Sequence, residues 1–293
     1  MNVTKRLGIA FGLIFSIVVV QLVGVLLTGS LALAVDIVHS LADSVGLLVA
    51  LITAILMNRP PAKNRTWGLR RLEVVSALFQ SLALAGISIF AFVSAISRWQ
   101  HPHDIAGEHL IIVGILSLIL NVSAAVVLMG ERDANFNIRA AFLEVVMDAL
   151  GTLAVVVSGI VMAATGYARM DTIAAVVIAL MIFPRAVKLA KETLAVLLEF
   201  VPEGLDLDEV RAYILEQPHV VDVHDLHAST IGTGLVQLSA HVVVEDRCFR
   251  DGCAPETLTV LQQAMRNKFP VQIEHATFQL EATSQEAECH VRN

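Results

Sequence analysis

The fold is decided by residues Leu31–Met57, which read LALAVDIVHSLADSVGLLVALITAILM. This run is long enough to cross a bilayer, because about 20 apolar residues suffice. It nevertheless carries Asp36, His39 and Asp43, and one charged group at membrane depth costs at least about 2–3 kcal/mol. Spacings of three and four residues place these side chains on one helical face. The stretch therefore predicts a membrane helix with an inward-facing polar site.

A second apolar run, Ala140–Ala163, repeats the pattern with Glu144 and Asp148 four residues apart. Together with His39 and Asp43, this pair offers one imidazole and three carboxylates. Such a set can surround a divalent cation tetrahedrally, as Zn²⁺ prefers. The alternative is that each pair only bonds a polar side chain of a neighbouring helix. Two matched pairs favour a shared metal site.

The charge of this predicted site suggests how it would work. Three ionised carboxylates in an apolar surrounding cannot stay empty and charged, so they should take up protons when metal leaves. The ligands must lose those protons to bind metal again. Metal and protons then compete, which predicts exchange of cytoplasmic metal for protons. Asp36 lies one turn before His39, and two roles stay open for it: support of the ligands or proton relay, or a structural hydrogen bond.

The composition of the 293-residue chain changes along its length. Hydrophobic residues make up 56% of the chain, above the 45–50% or so of ordinary soluble domains. From Glu199 onward there are 16 acidic and 6 basic residues, against 11 acidic and 14 basic before it. This pattern predicts a membrane domain followed by an acidic soluble domain, and it excludes a nucleic-acid binder.

Six apolar runs predict six membrane spans, and the loop charges predict their orientation. The runs are Leu7–Thr28, Leu31–Met57, Glu73–Ser97, His109–Gly130, Ile138–Ala163 and Thr172–Leu189. One side of the membrane would hold 12 Lys and Arg residues, and the other only Arg98 and Arg169. Positive loops stay cytoplasmic. We therefore expect a multi-pass protein, surrounded by membrane lipid, of a bacterial inner membrane, with both termini cytoplasmic.

The sequence pattern changes at Val201–Gly204, which predicts a membrane domain over residues 1–200 and a cytoplasmic domain over residues 201–293. The second part reads as helix, strand, strand, helix and strand, which indicates a small α+β domain with its helices on one sheet face. The predicted elements are Asp206–Gln217, Val220–Thr230, Gly234–Glu245, Pro255–Phe269 and Val271–Glu281.

The three cysteines all lie in this tail. Cys248 and Cys253 have four residues between them, a poor spacing for zinc ligands compared with Cys-x2-Cys. An odd number of cysteines argues against a disulfide framework. We therefore expect Cys248 and Cys253 to be ordinary thiols in a reducing compartment.

Several segments together resemble the cation diffusion facilitator family over nearly the whole chain. SLALAVDIVHSLADS matches its first transport motif, with His39 and Asp43. AFLEVVMDALGT matches the second, with Asp148 and with Glu144 where zinc-type members usually have His. TWGLRRLEVVSALFQ resembles the start of the family's third span. VVDVHDLHAST, LSAHVVVED and EHATFQLE resemble its cytoplasmic αββαβ domain.

The resemblance implies a homodimeric exporter of divalent metal ions, most often Zn²⁺, with a ferredoxin-like cytoplasmic domain. It also implies a regulatory metal site at His224, His241, His275 and Glu281, for which partly buried strand histidines are the alternative. Glu144 makes the transport site more acidic than a zinc-type site. Selectivity for Mn²⁺, Fe²⁺, Co²⁺ or Cd²⁺ therefore stays open.

Two functions of other classes compete with export. An intramembrane metalloenzyme would use a general base beside its metal, but the sequence has no His-Glu-x-x-His motif, so we expect no enzymatic activity. A membrane metal sensor that transports nothing would use the tail as its working part. Metal flux across a membrane separates these readings from an exporter.

Overall fold

The computed structural model describes residues 3–57, 66–101, 105, 107–129, 136–232 and 234–283 of the chain. The chain divides into two compact units. The first comprises residues 1–56 and 76–191, and the second comprises residues 57–75 and 192–293. The second unit therefore includes residues 57–75 as well as the tail, whereas a single boundary at residue 200 assigns those residues to the first part of the chain.

Six long helices precede the tail in the described part of the chain. They are α1 (Val3–Thr28), α2 (Leu31–Met57), α3 (Arg70–Gln100), α4 (Gly107–Met129), α5 (Phe136–Thr165) and α6 (Met170–Leu197). Among the described residues, all but α2 contain a stretch long and apolar enough to cross a membrane, and the corresponding stretch of α2 is Leu31–Ala42. The predicted membrane-helical region is confirmed. Its last helix extends beyond the predicted end at Leu189, so that Lys191 is also helical.

The beginning of α2 is held by a buried carboxylate from α6. Asp171 accepts hydrogen bonds from the backbone N–H of Leu31, at 2.7 Å, and from the Ser30 hydroxyl. Asp171 is 1% exposed, and the Arg98 guanidinium lies 3.7 Å from it. A negative charge at a helix N-terminus satisfies free N–H groups and favours the helix dipole. This cap fixes the level of His39, two turns further along α2.

Small residues let α4 and α5 approach closely. A Cβ atom at Gly114 would lie 2.7 Å from Cγ2 of Val156, and one at Gly159 would lie 3.2 Å from the backbone nitrogen of Ile111. Packing through such small residues brings helix backbones together in a membrane. The helix that carries Asp148 is therefore tightly supported by its neighbour.

The tail folds as a small α+β domain. Its elements are α7 (Leu207–Leu215), β1 (Val220–Gly232), β2 (Leu235–Val244), α8 (Cys248–Asp251), α9 (Cys253–Asn267) and β3 (His275–Ala282). The strand order is β1-β2-β3, with β1 antiparallel and β3 parallel to β2. Val210 and Ile214 of α7 and Leu261 and Met265 of α9 are buried in one core with Val242 of β2. The predicted α-β-β-α-β order is confirmed.

The prediction that Cys248 and Cys253 are ordinary thiols is wrong, because the two form a disulfide. Gly252 stands between α8 and α9 with a φ of 81°, a conformation that glycine adopts without strain. The chain reverses there and brings the two Cα atoms to 4.7 Å, within the range that a disulfide requires. Spacing along the sequence could not show this turn.

Residues just before α3 and in its first turn pack against the tail within the second unit. The ring of Trp67 meets the ring of His275 edge to face, with 5.1 Å between their centroids. Arg71 pairs with Glu199 at 2.8 Å. These contacts explain why the segment at 57–75 belongs to the same compact unit as β3.

Candidate functional site

His39 of α2 and Asp148 of α5 meet inside the membrane-helical unit. Their Nε2 and Oδ1 atoms lie 3.0 Å apart, and the side chains are 7% and 4% exposed. The contact lacks hydrogen-bond geometry. Neighbouring ligands on a tetrahedral Zn²⁺ lie about 3.3 Å apart, given metal–ligand distances of about 2.0–2.1 Å. The two atoms are therefore close enough to bind one ion.

The other two predicted ligands differ in what the structure describes. Asp43 follows His39 by one turn in α2, but its side chain lies outside the described residues. Glu144 precedes Asp148 by one turn in α5. Its Oε1 atom lies 2.5 Å from a guanidinium nitrogen of Arg185 in α6. The structure therefore brings His39 and Asp148 together and gives Glu144 a different partner.

Arg185 was missed as a candidate site residue. In the sequence it counts as one of the positive charges that keep a span end cytoplasmic. In the structure it lies well inside α6, directly after Pro184. An ionisable residue within a membrane helix is a candidate functional residue, and this signal could have identified it.

Asp36 joins a buried polar network that links four helices. Its Oδ2 atom accepts hydrogen bonds from Gln21 of α1, at 2.6 Å, and from Thr152 of α5, at 3.0 Å. Asn121 of α4 donates to Thr152 at 3.1 Å. All four side chains are inaccessible to solvent. These bonds link the helices that carry His39 and Asp148, while the other carboxylate oxygen of Asp36, Oδ1, is buried without a hydrogen-bond partner; both roles considered for Asp36 therefore stay open.

The tail brings three of its four predicted ligands together. His224 Nε2 lies 3.1 Å from Glu281 Oε2, and His241 Nδ1 lies 2.7 Å from Glu281 Oε1. One donor atom from each of the three lies within 4.8 Å of the other two. Two imidazoles and a carboxylate suit Zn²⁺ and leave one tetrahedral position for another group.

Strand register produces this cluster. His224 of β1 is directly opposite His241 of β2, and β2 places Val243 opposite Glu281 of β3. Residues two apart on a strand share a face, so Glu281 is the diagonal neighbour of His241 on that face. The cluster therefore depends on the pairing of all three strands.

Hydrogen bonds control the ionisation of Glu281. Its burial favours the neutral acid, but the hydrogen bonds from His241, His224 and Gln279 outweigh that effect. They hold the pKa of Glu281 below its ordinary value. The carboxylate is therefore charged at neutral pH, as a metal ligand must be.

His224 and the next residue, Asp225, are expected on opposite faces of a regular strand, but β1 is irregular there. The register shifts between His224 and His227, and Asp225 has a φ of 48°, an uncommon value for a residue with a side chain. This irregularity brings Asp225 Oδ2 to 4.0 Å from His224 Nδ1. Asp225 thus stands behind His224, on the side opposite Glu281.

His275 does not join the cluster within one chain. It lies six residues before Glu281 on β3, which corresponds to about 20 Å of strand at about 3.3 Å per residue. It contacts Trp67 instead. The three-residue group of His224, His241 and Glu281 is the one that the described part of the tail presents to a metal.

Two family models cover almost the entire chain. The cation efflux transmembrane domain matches residues 7–198, and the cation efflux protein cytoplasmic domain matches residues 202–283. Curated relatives match over similar lengths. The metal cation efflux system protein CzcD of Cupriavidus metallidurans is 36% identical over 94% of this chain and 86% of its own.

Two other relatives carry names that specify metals. The zinc transporter ZitB of Escherichia coli is 33% identical over 96% of this chain and 88% of its own. The cadmium, cobalt and zinc/H(+)-K(+) antiporter of Bacillus subtilis is 31% identical over 94% of this chain and 88% of its own. A solved structure of the metal-bound C-terminal domain of the CzcD transporter, from the same bacterium as the CzcD relative, is 37% identical, with a TM-score of 0.23 over 26% of this chain and 99% of its own.

Proposed function

Because the chain belongs to the cation efflux, or cation diffusion facilitator, family of multi-pass membrane transporters, we propose that it exports Zn²⁺ in exchange for protons. Divalent metal cation efflux is the function of the family and of this chain. The choice of Zn²⁺ and the exchange for protons are the proposal. Mn²⁺, Fe²⁺, Co²⁺ and Cd²⁺ are the alternative ions.

The contact of His39 with Asp148 is the observation that carries this proposal. A nitrogen and a carboxylate oxygen approach to 3.0 Å without a hydrogen bond, in a unit of apolar helices. Imidazole with carboxylate favours Zn²⁺ and its transition-metal neighbours over Mg²⁺ or Ca²⁺. We propose that Asp43, on the same face as His39, and Glu144, on the same face as Asp148, complete the ligand set.

Proton exchange follows from the same ligands. Carboxylates that hold a metal in an apolar unit must be ionised, and without the metal they gain protons. A site that alternates between the two sides of the membrane then carries metal one way and protons the other. The relative from Bacillus subtilis, named a cadmium, cobalt and zinc/H(+)-K(+) antiporter, supports this coupling.

The tail is proposed to bind a regulatory metal at His224, His241 and Glu281 and to join two copies of the chain. The two imidazoles and the charged carboxylate already converge, and three ligands leave room for a fourth group. We propose the domain division at residues 1–200 and 201–293, and a location in a bacterial inner membrane. The excess of basic residues on one side favours cytoplasmic termini.

Flux measurements in proteoliposomes test the function. In these vesicles the purified full-length protein should move Zn²⁺ in the direction opposite to the flow of protons down an imposed gradient. The pH of the lumen should change in step with the metal movement. A panel of Mn²⁺, Fe²⁺, Co²⁺, Cd²⁺ and Zn²⁺ at two pH values identifies the ion and its coupling. Metal binding without flux would instead indicate a sensor. Flux that ignores the proton gradient would reject exchange.

A further inference from the structure

Glu144, which we propose above as a ligand of the transported ion, is paired with Arg185 in the structure. Glu144 lies one turn from Asp148 on α5, and its carboxylate is 2.5 Å from the guanidinium of Arg185 on α6. The two side chains are 40% and 42% exposed. The two residues lie on different helices, so their ion pair joins α5 to α6 one turn from Asp148.

A charged arginine within α6 is costly unless another group offsets its charge. Its guanidinium keeps a positive charge at every physiological pH, and a charged group within a membrane helix is costly. Pairing with Glu144 offsets that charge with a charge-assisted hydrogen bond. The acid and the cation therefore compensate each other.

The transported metal ion and Arg185 would both bind the carboxylate of Glu144. A divalent ion held by His39 and Asp148 would recruit Glu144 only after Glu144 leaves Arg185, and Arg185 regains Glu144 when the ion departs. We propose that Arg185 is a tethered counter-cation that competes with the transported metal for Glu144. It weakens metal binding and speeds metal release.

This inference rests on the proposed transport site and adds a residue that controls its affinity. Removing the competitor should strengthen metal binding and slow release, so KM and kcat should fall together. A residue that only holds α5 against α6 would lower kcat or the amount of folded protein and would not lower KM. The direction of the change in KM therefore separates the two roles.

The experiment measures Zn²⁺ flux in proteoliposomes for Arg185→Gln, Arg185→Lys and Glu144→Gln, and for the double variant of Glu144→Gln with Arg185→Gln. We expect Arg185→Gln to lower KM by about tenfold, between the effects of exposed and buried ion pairs, and to lower kcat. In the Glu144→Gln background the same change should leave KM unaltered. Lys191→Gln, which removes a positive charge from the same helix, is the matched control and should keep the wild-type KM.

Several outcomes would overturn the inference. They are an unchanged or raised KM for Arg185→Gln, or an equal fall in KM whether or not Glu144 is present. If Arg185→Gln does not fold, Arg185→Lys supplies the measurement, since an ammonium group pairs less firmly than a guanidinium. Its KM should then lie below the wild-type value, and a wild-type KM would reject the competition.

The same assay distinguishes failure of this inference from failure of the transport site. If Asp148→Ala still transports Zn²⁺, the site itself is rejected. If Asp148→Ala is inactive while Arg185→Gln keeps the wild-type KM, only the role of Arg185 is rejected. Glu144→His adds a further check: it leaves Arg185 without a partner, so adding Arg185→Gln to it should raise the amount of folded protein.

Discussion

The membrane helices and the tail each bring histidine and carboxylate together, but they do so in different ways. His39 and Asp148 come from two helices and meet at 3.0 Å without a hydrogen bond. In the tail, Glu281 is hydrogen-bonded by His224 and His241, which adjacent strands hold in register. The first pair is nearly inaccessible, whereas the side chains of the two tail histidines are 15% and 25% exposed.

This difference indicates two uses of the same ligand types. Oδ1 of Asp148 is buried without a hydrogen-bond partner, which is unfavourable, and the metal ion proposed for this site would supply one. The tail carboxylate is already satisfied by its neighbours and is stable without metal. The membrane pair therefore fits the proposed transport site, and the hydrogen-bonded tail cluster fits the proposed regulatory site.

The largest effect is expected from a substitution at the proposed membrane site. Asp148→Ala removes the oxygen that faces His39 and should abolish Zn²⁺ flux in proteoliposomes, because the proposed four-ligand shell loses one of its ligands. Folding and dimerisation, measured by size-exclusion chromatography, should be kept. Glu108→Ala, which removes an exposed acid from the start of α4, should transport normally. Flux retained in Asp148→Ala would reject the site.

A smaller effect is expected on the tail side. Glu281→Gln, introduced into full-length Asp148→Ala so that only tail binding is counted, should weaken Zn²⁺ binding by more than about 100-fold, because it removes the charged ligand. Isothermal titration calorimetry measures this change. Glu245→Gln is the matched control, since Glu245 also contacts a histidine, His219 at 3.2 Å, but is far more exposed. Equal losses in both variants would contradict the cluster.

A still smaller effect is expected from a substitution of Asp225, which lies beside His224 in the tail. Asp225→Asn keeps a residue that tolerates a positive φ and removes the charge 4.0 Å from His224. If Asp225 orients His224, as carboxylates behind metal-bound histidines do, Zn²⁺ affinity of the tail should fall about 10-fold. The melting temperature should not change. An unaltered affinity would assign Asp225 to the strand irregularity alone.

The smallest effect concerns acid stability without metal. The pKa of Glu281 is lowered on balance, since hydrogen bonds from His241, His224 and Gln279 outweigh its burial. Its stabilising contribution is therefore present above about pH 4.3, the ordinary value for Glu, and is lost as the pH falls through the lowered value. Thermal unfolding of the full-length protein should show a steeper loss below about pH 4.3 in the wild type than in Glu281→Gln. Parallel curves would contradict this sign.

Much of the fold follows from local patterns. Apolar runs fix the positions of the helices because a bilayer requires about 20 apolar residues per span. Alternation and turn residues fix the α-β-β-α-β order of the tail. The pairs at His39 and Asp43 and at Glu144 and Asp148 are readable because a helix places residues four apart side by side.

The membrane helices, the α+β tail, the family and the candidate metal ligands could thus be predicted from the amino-acid sequence. The tertiary structure decided which of them meet. Arg185 reaches Glu144, Cys248 bonds to Cys253, and Glu281 joins two histidines. The physical reason is that helical and strand periodicity orders only near neighbours, whereas helix packing, chain reversals and strand register bring distant residues together.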